Sequence, residues 1–176
     1  MSEFDKMLDQ QQALLNKMDA SVSSEEAEIA KALTFYIDGK VYGLEISNVR
    51  EILNMSHITK VPGVPEYIKG IINVRSKAVP VINVRKRFGK EEIPYDEKTN
   101  IIVVEYKDVV VGVIVDQVLD VLSVTEAVKA EVPALEKVNA NKFIQYILNM
   151  PDGIKMVLDV KKLIFDNEFV IPTDDE

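Results

Sequence analysis

The sequence predicts a mostly β protein in which one small unit, a barrel of short strands, occurs twice. Val, Ile and Leu dominate an apolar fraction of 47%, and these residues suit half-buried pleated surfaces. Short apolar segments follow one another closely with turn residues between them, and their order in the first half recurs in the second. Closing each sheet into a barrel would remove exposed strand edges, which otherwise tend to pair with other chains.

Residues 1–31 differ from this pattern and predict an N-terminal helix on a flexible tether. Apolar side chains recur there at helical spacing, at Phe4, Met7, Leu8, Leu14, Leu15 and Met18. This apolar stripe could dock on the protein itself or on a partner, and the sequence leaves both possibilities open. At the other end of the chain, residues 167–176 are interpreted as an acidic tail.

The first copy of the unit begins with two strand-like segments, LTFYID and VYGLEI, on either side of Gly39. The step from Asp38 to Gly39 is a strong hairpin signal. The segment ISNVREIL follows, with helical or irregular spacing. A second predicted hairpin, EYIKGIINV and AVPVINV, turns near Ser76, and residues 85–89 form a helix-like end.

The second copy repeats this order with IIVVEY, VVVGVIV, VDQVLDVL, FIQYILNM and IKMVLDV, and it ends at residues 161–165. An offset of 69 aligns residues 42–53 with 111–122, and an offset of 76 aligns residues 67–88 with 143–164. The second copy therefore holds an insertion within residues 123–142. We expect two subdomains, about 33–98 and 99–166, packed through an apolar seam, with a binding groove at that seam.

Composition and motifs argue against several classes of function. The chain has no cysteine and a single histidine, His57, so thiolate metal sites, disulfides and most relay chemistry are excluded. Phosphate-binding loops and the common hydrolase and metalloprotease motifs are missing. We therefore predict no catalytic residue, no metal site and no cofactor.

Charge and hydropathy also bear on the partners of the chain. The net charge of −8 argues against a nucleic-acid partner and against an anionic membrane surface. The short basic run 85–87 is interpreted as a solvated strand end. Because the start of the chain lacks the apolar core of a signal peptide and the apolar runs are only strand-length, we expect a cytoplasmic protein without membrane insertion.

The motifs FYIDGKVYGLEISNVREIL, ITKVPGVPEYIKGIINVRSKAVPVINVRKRFG, NIIVVEYKDVVVGVIVDQVLDVL and IKMVLDVKKLI resemble those of the CheW family, the adaptor domain of bacterial chemotaxis. The resemblance covers about residues 33–165, within an expected CheW-like domain of residues 32–166, and implies two five-stranded SH3-like barrels. It also implies a non-enzymatic adaptor that connects the cytoplasmic tips of chemoreceptors to the regulatory domain of the histidine kinase CheA. Such an adaptor would be recruited from the cytoplasm to receptor arrays, and with no kinase or receiver domain in the sequence it would stand alone.

The resemblance further implies a receptor-binding groove formed by Val49, Glu51, Gly70, Arg75, Val118 and Val121. The valines would accept an apolar ridge of a receptor helix, or they would be core residues. Gly70 would contact the receptor or permit a close backbone approach. Arg75 would anchor an acid or a carbonyl, brace its loop, or simply be exposed.

For the kinase, the resemblance implies end-to-end pairing of barrels, and we expect the exposed parts of one strand and the loops around it to contribute. That strand carries Ile101, Ile102, Val103 and Val104. The alternative is that these four side chains belong to the core.

Two departures from the family motifs affect this reading. Ser76 replaces the glycine of the family's Asn-Leu-Arg-Gly run, which puts the turn geometry in doubt because a side chain disfavours positive φ. Asn83 replaces an acid and removes a possible charge contact. Receptor or kinase preference could therefore differ from that of a typical member.

Two other classes of function compete with an adaptor. A tandem barrel could bind RNA, but the charge and the scarcity of basic and aromatic pairs disfavour this. A barrel hydrolase would require a nucleophile, and the sequence offers no recognisable one.

Overall fold

A computed structural model describes residues 6–10, 27–133 and 142–165 of the chain. The elements are, in chain order, α1 (residues 6–10), β1 (Glu28–Ile37), β2 (Lys40–Glu45), a 3₁₀ helix (Ile46–Asn48), β3 (Val49–Asn54), β4 (Ile68–Val74), β5 (Lys77–Asn83), α2 (Val84–Arg87), β6 (Asn100–Tyr106), β7 (Val109–Val115), β8 (Gln117–Thr125), β9 (Lys129–Ala130), β10 (Ile144–Met150), β11 (Gly153–Leu158) and α3 (Val160–Ile164). Helix α1 confirms part of the predicted N-terminal helix, and its Met7 and Leu8 are exposed. The rest of that helix and the acidic tail lie outside the described residues.

The predicted hairpins form, and their turns have the backbone twist that antiparallel strands prefer. In the β1–β2 turn, Asp38 and Gly39 have φ of 53° and 76°. Positive φ at both central residues is the signature of a type I′ turn. The β6–β7 turn does the same without glycine, since Lys107 and Asp108 have φ of 46° and 68°.

The strands form two sheets, and each sheet takes strands from both sequence repeats. The first sheet has six strands in the order β8-β1-β2-β11-β10-β9, and the second has five in the order β3-β6-β7-β5-β4. The leading hairpin of each repeat thus pairs with the last three main strands of the other repeat. The predicted boundary near residue 98 separates the repeats in sequence, but it does not separate the two sheets. Parallel pairing of β2 with β11 and of β5 with β7 makes this exchange possible.

Both sheets curl back on themselves, as the predicted barrels require. In the first sheet, β8 and β9 lie at opposite edges, yet only residues 126–128 separate them in the chain. In the second, Thr59, which follows the edge strand β3, bridges to Ile71 on the opposite edge strand β4. The extra strand β9 of the first sheet lies inside the insertion predicted within residues 123–142.

The hydrophobic core confirms the predicted apolar seam. One large cluster combines side chains of both sheets and of α2 and α3, including Phe35, Ile82, Val113 and Leu163. Each barrel also has a smaller cluster of its own, around Leu148 in the first and in the second around Ile101, Ile114 and their neighbours. Burial of this apolar area is what holds the two small barrels together.

Three expectations require correction. Strand β6 lies between β3 and β7, and Ile101, Ile102, Val103 and Val104 are all buried, so the strand has no exposed part at these residues. The segments 46–53 and 115–122, predicted to be helical or irregular, form mainly the strands β3 and β8. The basic run 85–87 is not simply solvated, because Arg87 is buried and donates to the carbonyl oxygens of Lys162 and Leu163 at the end of α3.

Candidate functional site

The edge strands β3 and β8 carry four of the six predicted receptor positions. Val49 and Glu51 lie on β3 of the second sheet, and Val118 and Val121 lie on β8 of the first. The two strands are equivalent by the offset of 69, which pairs Val49 with Val118. Each strand has a register shift just after this valine. A β-bulge there inserts a residue and re-aims the following side chains, as is common beside functional sites.

The two edge strands are linked by the side chain of Asn100, the first residue of β6. Its Oδ1 accepts a hydrogen bond from the backbone N–H of Val118 at 3.2 Å, and its Nδ2 donates to the carbonyl oxygen of Leu53 at 3.4 Å. Asn100 therefore bridges β3 of the second sheet and β8 of the first. We call the combined surface of β3 and β8 the edge pair.

The valines of the edge pair differ in how much of them is accessible. Val49 and Val118 are half-buried and pack against the shared core, so the core interpretation accounts for part of each side chain. Val121 is 49% exposed, and Ile52 on β3 is 44% exposed. Ile52 was not singled out in the sequence, because an exposed isoleucine resembles any other strand residue there. The edge pair thus has half-buried valines with exposed aliphatic side chains nearby.

Glu51 and Arg75 form an ion pair at the rim of the edge pair. Arg75 donates from Nε to the Glu51 carboxylate at 3.0 Å, and its side chain is 82% exposed. Arg75 and Ser76 occupy the β4–β5 turn with φ of 50° and 69°. The loss of the family's glycine therefore leaves the left-handed turn intact, and Asn73 supports it by accepting from the Ser76 N–H at 3.0 Å.

Gly70 is buried in β4, and a close backbone approach explains its identity. Its φ is +143°, and a Cβ atom built on it would lie 2.1 Å from the carbonyl oxygen of Thr59. Only glycine fits such a position without moving the neighbouring backbone. Gly70 therefore shapes the second sheet and presents no side chain to a partner.

A shallow depression of about 290 Å³ lies at the end of the second sheet, lined by residues 47–50 and 105–108. Arg50 and Glu105 form an ion pair across it. The Lys107 ammonium lies 5.6 Å from the centre of the Tyr106 ring. We call this surface the β6–β7 end. It contains the turn that follows the buried strand 101–104.

The first sheet has an equivalent depression of about 470 Å³ at the β1–β2 turn. The offset of 69 matches its lining residues Tyr36, Gly39, Asp116 and Gln117 with residues 105, 108, 47 and 48 of the β6–β7 end. The loop 93–99 also lines it, partly through Ile93. The internal repeat thus produces two related surfaces with different side chains.

An ion-pair network fixes the β1–β2 turn. Arg85 donates to both carboxylate oxygens of Asp116, at 2.9 and 2.6 Å, and Asp116 also accepts from the backbone N–H of Asp38 at 2.8 Å. The bond to Asp116 is the main cause that raises the pKa of Arg85, and the bond from Lys90 is the main cause that lowers the pKa of Asp38. Ser47, the equivalent of Asp116 by the offset of 69, lies in the 3₁₀ helix, which has no side-chain cap.

Asn83 caps helix α2, and its amide explains why an acid is not needed there. Its Oδ1 accepts from the Lys86 N–H at 3.1 Å, while its Nδ2 donates to Glu92 at 3.3 Å and to the Tyr95 hydroxyl at 3.2 Å. Burial is the main cause that raises the pKa of Tyr95 to about 12. The family's acid is therefore replaced by a residue that both accepts and donates.

Within the described residues, no group of three or more His, Cys, Asp and Glu side chains is arranged to hold a metal ion. None of the helices in the same part of the chain has the length and apolar character needed to cross a membrane. The described residues instead present the edge pair, with exposed aliphatic side chains, and a depression at one end of each sheet.

Comparison with known proteins agrees with this architecture. The sequence model of the CheW-like domain family matches residues 31–168. The chemotaxis protein CheW of Klebsiella aerogenes is 31% identical over 139 residues, which are 79% of this chain and 84% of that protein. CheW of Bacillus subtilis is 32% identical over 134 residues, or 76% of this chain and 86% of that protein. A crystal structure of the scaffolding protein TtCheW from Thermoanaerobacter tengcongensis has a TM-score of 0.74 and 32% identity, covering 81% of this chain and 97% of that one.

Proposed function

The chain belongs to the family of CheW-like domains, and on this premise we propose that it is a non-enzymatic chemotaxis adaptor that couples chemoreceptors to the histidine kinase CheA. The partners are the cytoplasmic tips of chemoreceptors and the regulatory domain of the kinase, and the adaptor is recruited from the cytoplasm to receptor arrays. The observation that carries this function is the match to chemotaxis and scaffolding proteins over most of the chain.

The edge pair is the proposed receptor site. A receptor helix presents an apolar ridge, and such a ridge fits a groove lined by aliphatic side chains. Val49 and Val118 would form the half-buried floor, and Val121 would contact the ridge from an exposed position. Glu51 and Arg75 would contribute polar contacts at the rim. Gly70 would contribute indirectly, by letting β4 approach the Thr59 backbone.

The β6–β7 end is the proposed kinase site. We assign the kinase site to this surface and not to strand 101–104, because the side chains of that strand are buried. The surface belongs to the loops that adjoin the strand. It offers a paired arginine and glutamate beside Tyr106, a combination suited to a polar protein interface with one aromatic anchor. The surface is a barrel end, which fits end-to-end pairing with a homologous barrel.

Titration against purified partners tests the assignment. The chain should bind a cytoplasmic receptor fragment and, separately, the regulatory domain of CheA. Val118→Met and Arg75→His should weaken receptor binding per folded molecule and leave kinase binding unchanged. Ile154→Ala, an exposed apolar residue on β11, is the matched control for the receptor site.

The kinase site calls for a different variant. Ser47→Arg adds bulk and charge to the β6–β7 end without removing a described hydrogen bond, so it should weaken kinase binding by about tenfold or more. Ser56→Arg, an exposed serine beyond the other end of β3, should leave kinase binding unchanged. If the chain bound neither partner, even in their joint presence, the adaptor function would be wrong. Tight, salt-sensitive RNA binding would instead support a nucleic-acid function.

A further inference from the structure

We infer that Asn100 is a positioning residue for receptor binding, because its side-chain amide fixes the two strands of the edge pair relative to each other. The inference rests on the proposed receptor site. Asn100 begins β6 of the second sheet and is itself half-buried, so it acts through the strands that it holds and not by contact with the receptor.

Both hydrogen bonds of Asn100 reach backbone atoms of edge strands. Among the described residues, the N–H of Val118 and the carbonyl of Leu53 belong to strands that have a neighbour on one side only. Asn100 lies on β6, the strand that pairs with β3, so its bond to Leu53 lies within the second sheet. Its bond to Val118 joins the second sheet to the first.

The residue type is specific to this task. An asparagine side chain accepts through its oxygen and donates through its nitrogen at the same time. An aspartate could accept from Val118 but could not donate to Leu53, and an alanine could do neither. At the position equivalent by the offset of 69 stands Lys31, whose ammonium cannot accept a hydrogen bond and lies 4.0 Å from Glu28 instead.

In the described part of the chain, this amide link is therefore present in one of the two repeats and absent from the equivalent position of the other. Asn100 connects Leu53 on β3 with Val118 on β8. At the equivalent position of the first sheet, Lys31 makes no such amide bridge. A receptor helix that needs the spacing of Val49 and Val118 would find it set at one end of the groove by a single side chain.

Two variants and a matched control separate the parts of this inference. Asn100→Ala should accelerate amide hydrogen exchange at Val118 and lower the affinity for a receptor fragment about five- to tenfold, the size expected for one or two lost hydrogen bonds. Asn100→Asp should keep the exchange rate of the Val118 amide near that of wild type and still reduce receptor affinity. Asn149→Ala removes an exposed asparagine on β10, outside the edge pair, and it should change neither quantity.

Binding to the regulatory domain of CheA serves as the second readout. The positioning role predicts that Asn100→Ala leaves kinase affinity per folded molecule unchanged. Equal losses of receptor and kinase affinity, or unchanged exchange at Val118, would overturn it. A wild-type chain that failed to bind the receptor fragment would refute the proposed function and the receptor part of this inference. Exchange at Val118 would still decide whether Asn100 joins the two strands.

Discussion

Replacing Gly70 by alanine tests whether this position shapes the sheet or contacts a partner. The Cβ atom would lie 2.1 Å from the carbonyl oxygen of Thr59 and 2.9 Å from a methyl group of Ile58. Thr59 would have to retreat by about 1 Å or more to reach ordinary contact distance. That movement would break the bridge between Thr59 and Ile71, whose two backbone hydrogen bonds measure 2.9 and 2.8 Å.

The expected loss of folding stability is the sum of backbone strain and lost hydrogen bonds. A non-glycine residue in the sparsely populated backbone region of Gly70, at φ of +143°, costs about 1–3 kcal/mol. Two lost backbone hydrogen bonds add about 1 kcal/mol each. We therefore expect Gly70→Ala to lower the free energy of unfolding by about 3–5 kcal/mol, a large share of the stability of a domain of this size.

Gly39→Ala is the matched control. Gly39 also has positive φ, +76°, but a Cβ atom there would meet nothing within 4 Å. We expect it to cost only about 1 kcal/mol. Urea denaturation followed by circular dichroism measures both values, and titration with a receptor fragment gives the affinity per folded molecule. If Gly70→Ala were as stable as Gly39→Ala and lost receptor affinity, Gly70 would be a contact residue and the steric argument would be wrong.

Three further substitutions test individual contacts by urea or thermal denaturation. Arg85→Ala should lower the free energy of unfolding by about 2–3 kcal/mol, because the Asp116 carboxylate, which is 20% exposed, loses the donors of its paired arginine. A loss below about 0.5 kcal/mol would contradict this prediction. Ser76→Gly should stabilise the protein by about 0.5–1 kcal/mol, because glycine adopts the left-handed backbone conformation of this position, φ 69°, without steric strain. A destabilised variant would show that the serine side chain contributes more to stability than this strain costs. Asn83→Asp should cost about 2 kcal/mol at neutral pH, because it removes two donors and places a second carboxylate beside Glu92. Like-charge repulsion raises the pKa of such a pair in the folded state, so the loss should shrink as the pH falls below about 5, and a pH-independent loss would exclude repulsion as its cause.

Local features were predictable from the sequence because their causes are local. The β1–β2 hairpin follows from the step Asp38-Gly39, and the ends of both repeats follow from capping residues before α2 and α3. The exchange of strands was not predictable, because hydrophobic patterning is the same whether β2 pairs with its own repeat or with β11. That choice depends on contacts between residues more than a hundred positions apart.

The same distinction between local and long-range causes applies to the candidate site. The internal repeat and the family motifs identified Val49 and Val118 as equivalent positions, and in the structure Asn100 bridges their strands. Strands β3 and β8 themselves were mistaken for helical or irregular segments, because a bulge and an exposed edge both disturb the alternation that marks a strand. Asn100 carried no recognisable signal, since one polar residue at the start of a strand is common.

The strand exchange also places the two proposed contact surfaces on one element. Residues 47–50 line the β6–β7 end, and Val49 also belongs to the edge pair, which continues along β3 through Glu51. Since a strand rises about 3.3 Å per residue, only about 10 Å separates Arg50 from Leu53, which Asn100 holds. A receptor bound at the edge pair and a kinase bound at the β6–β7 end would therefore contact neighbouring parts of one strand. The adaptor would then hold its two partners side by side, because the same short strand forms part of both surfaces.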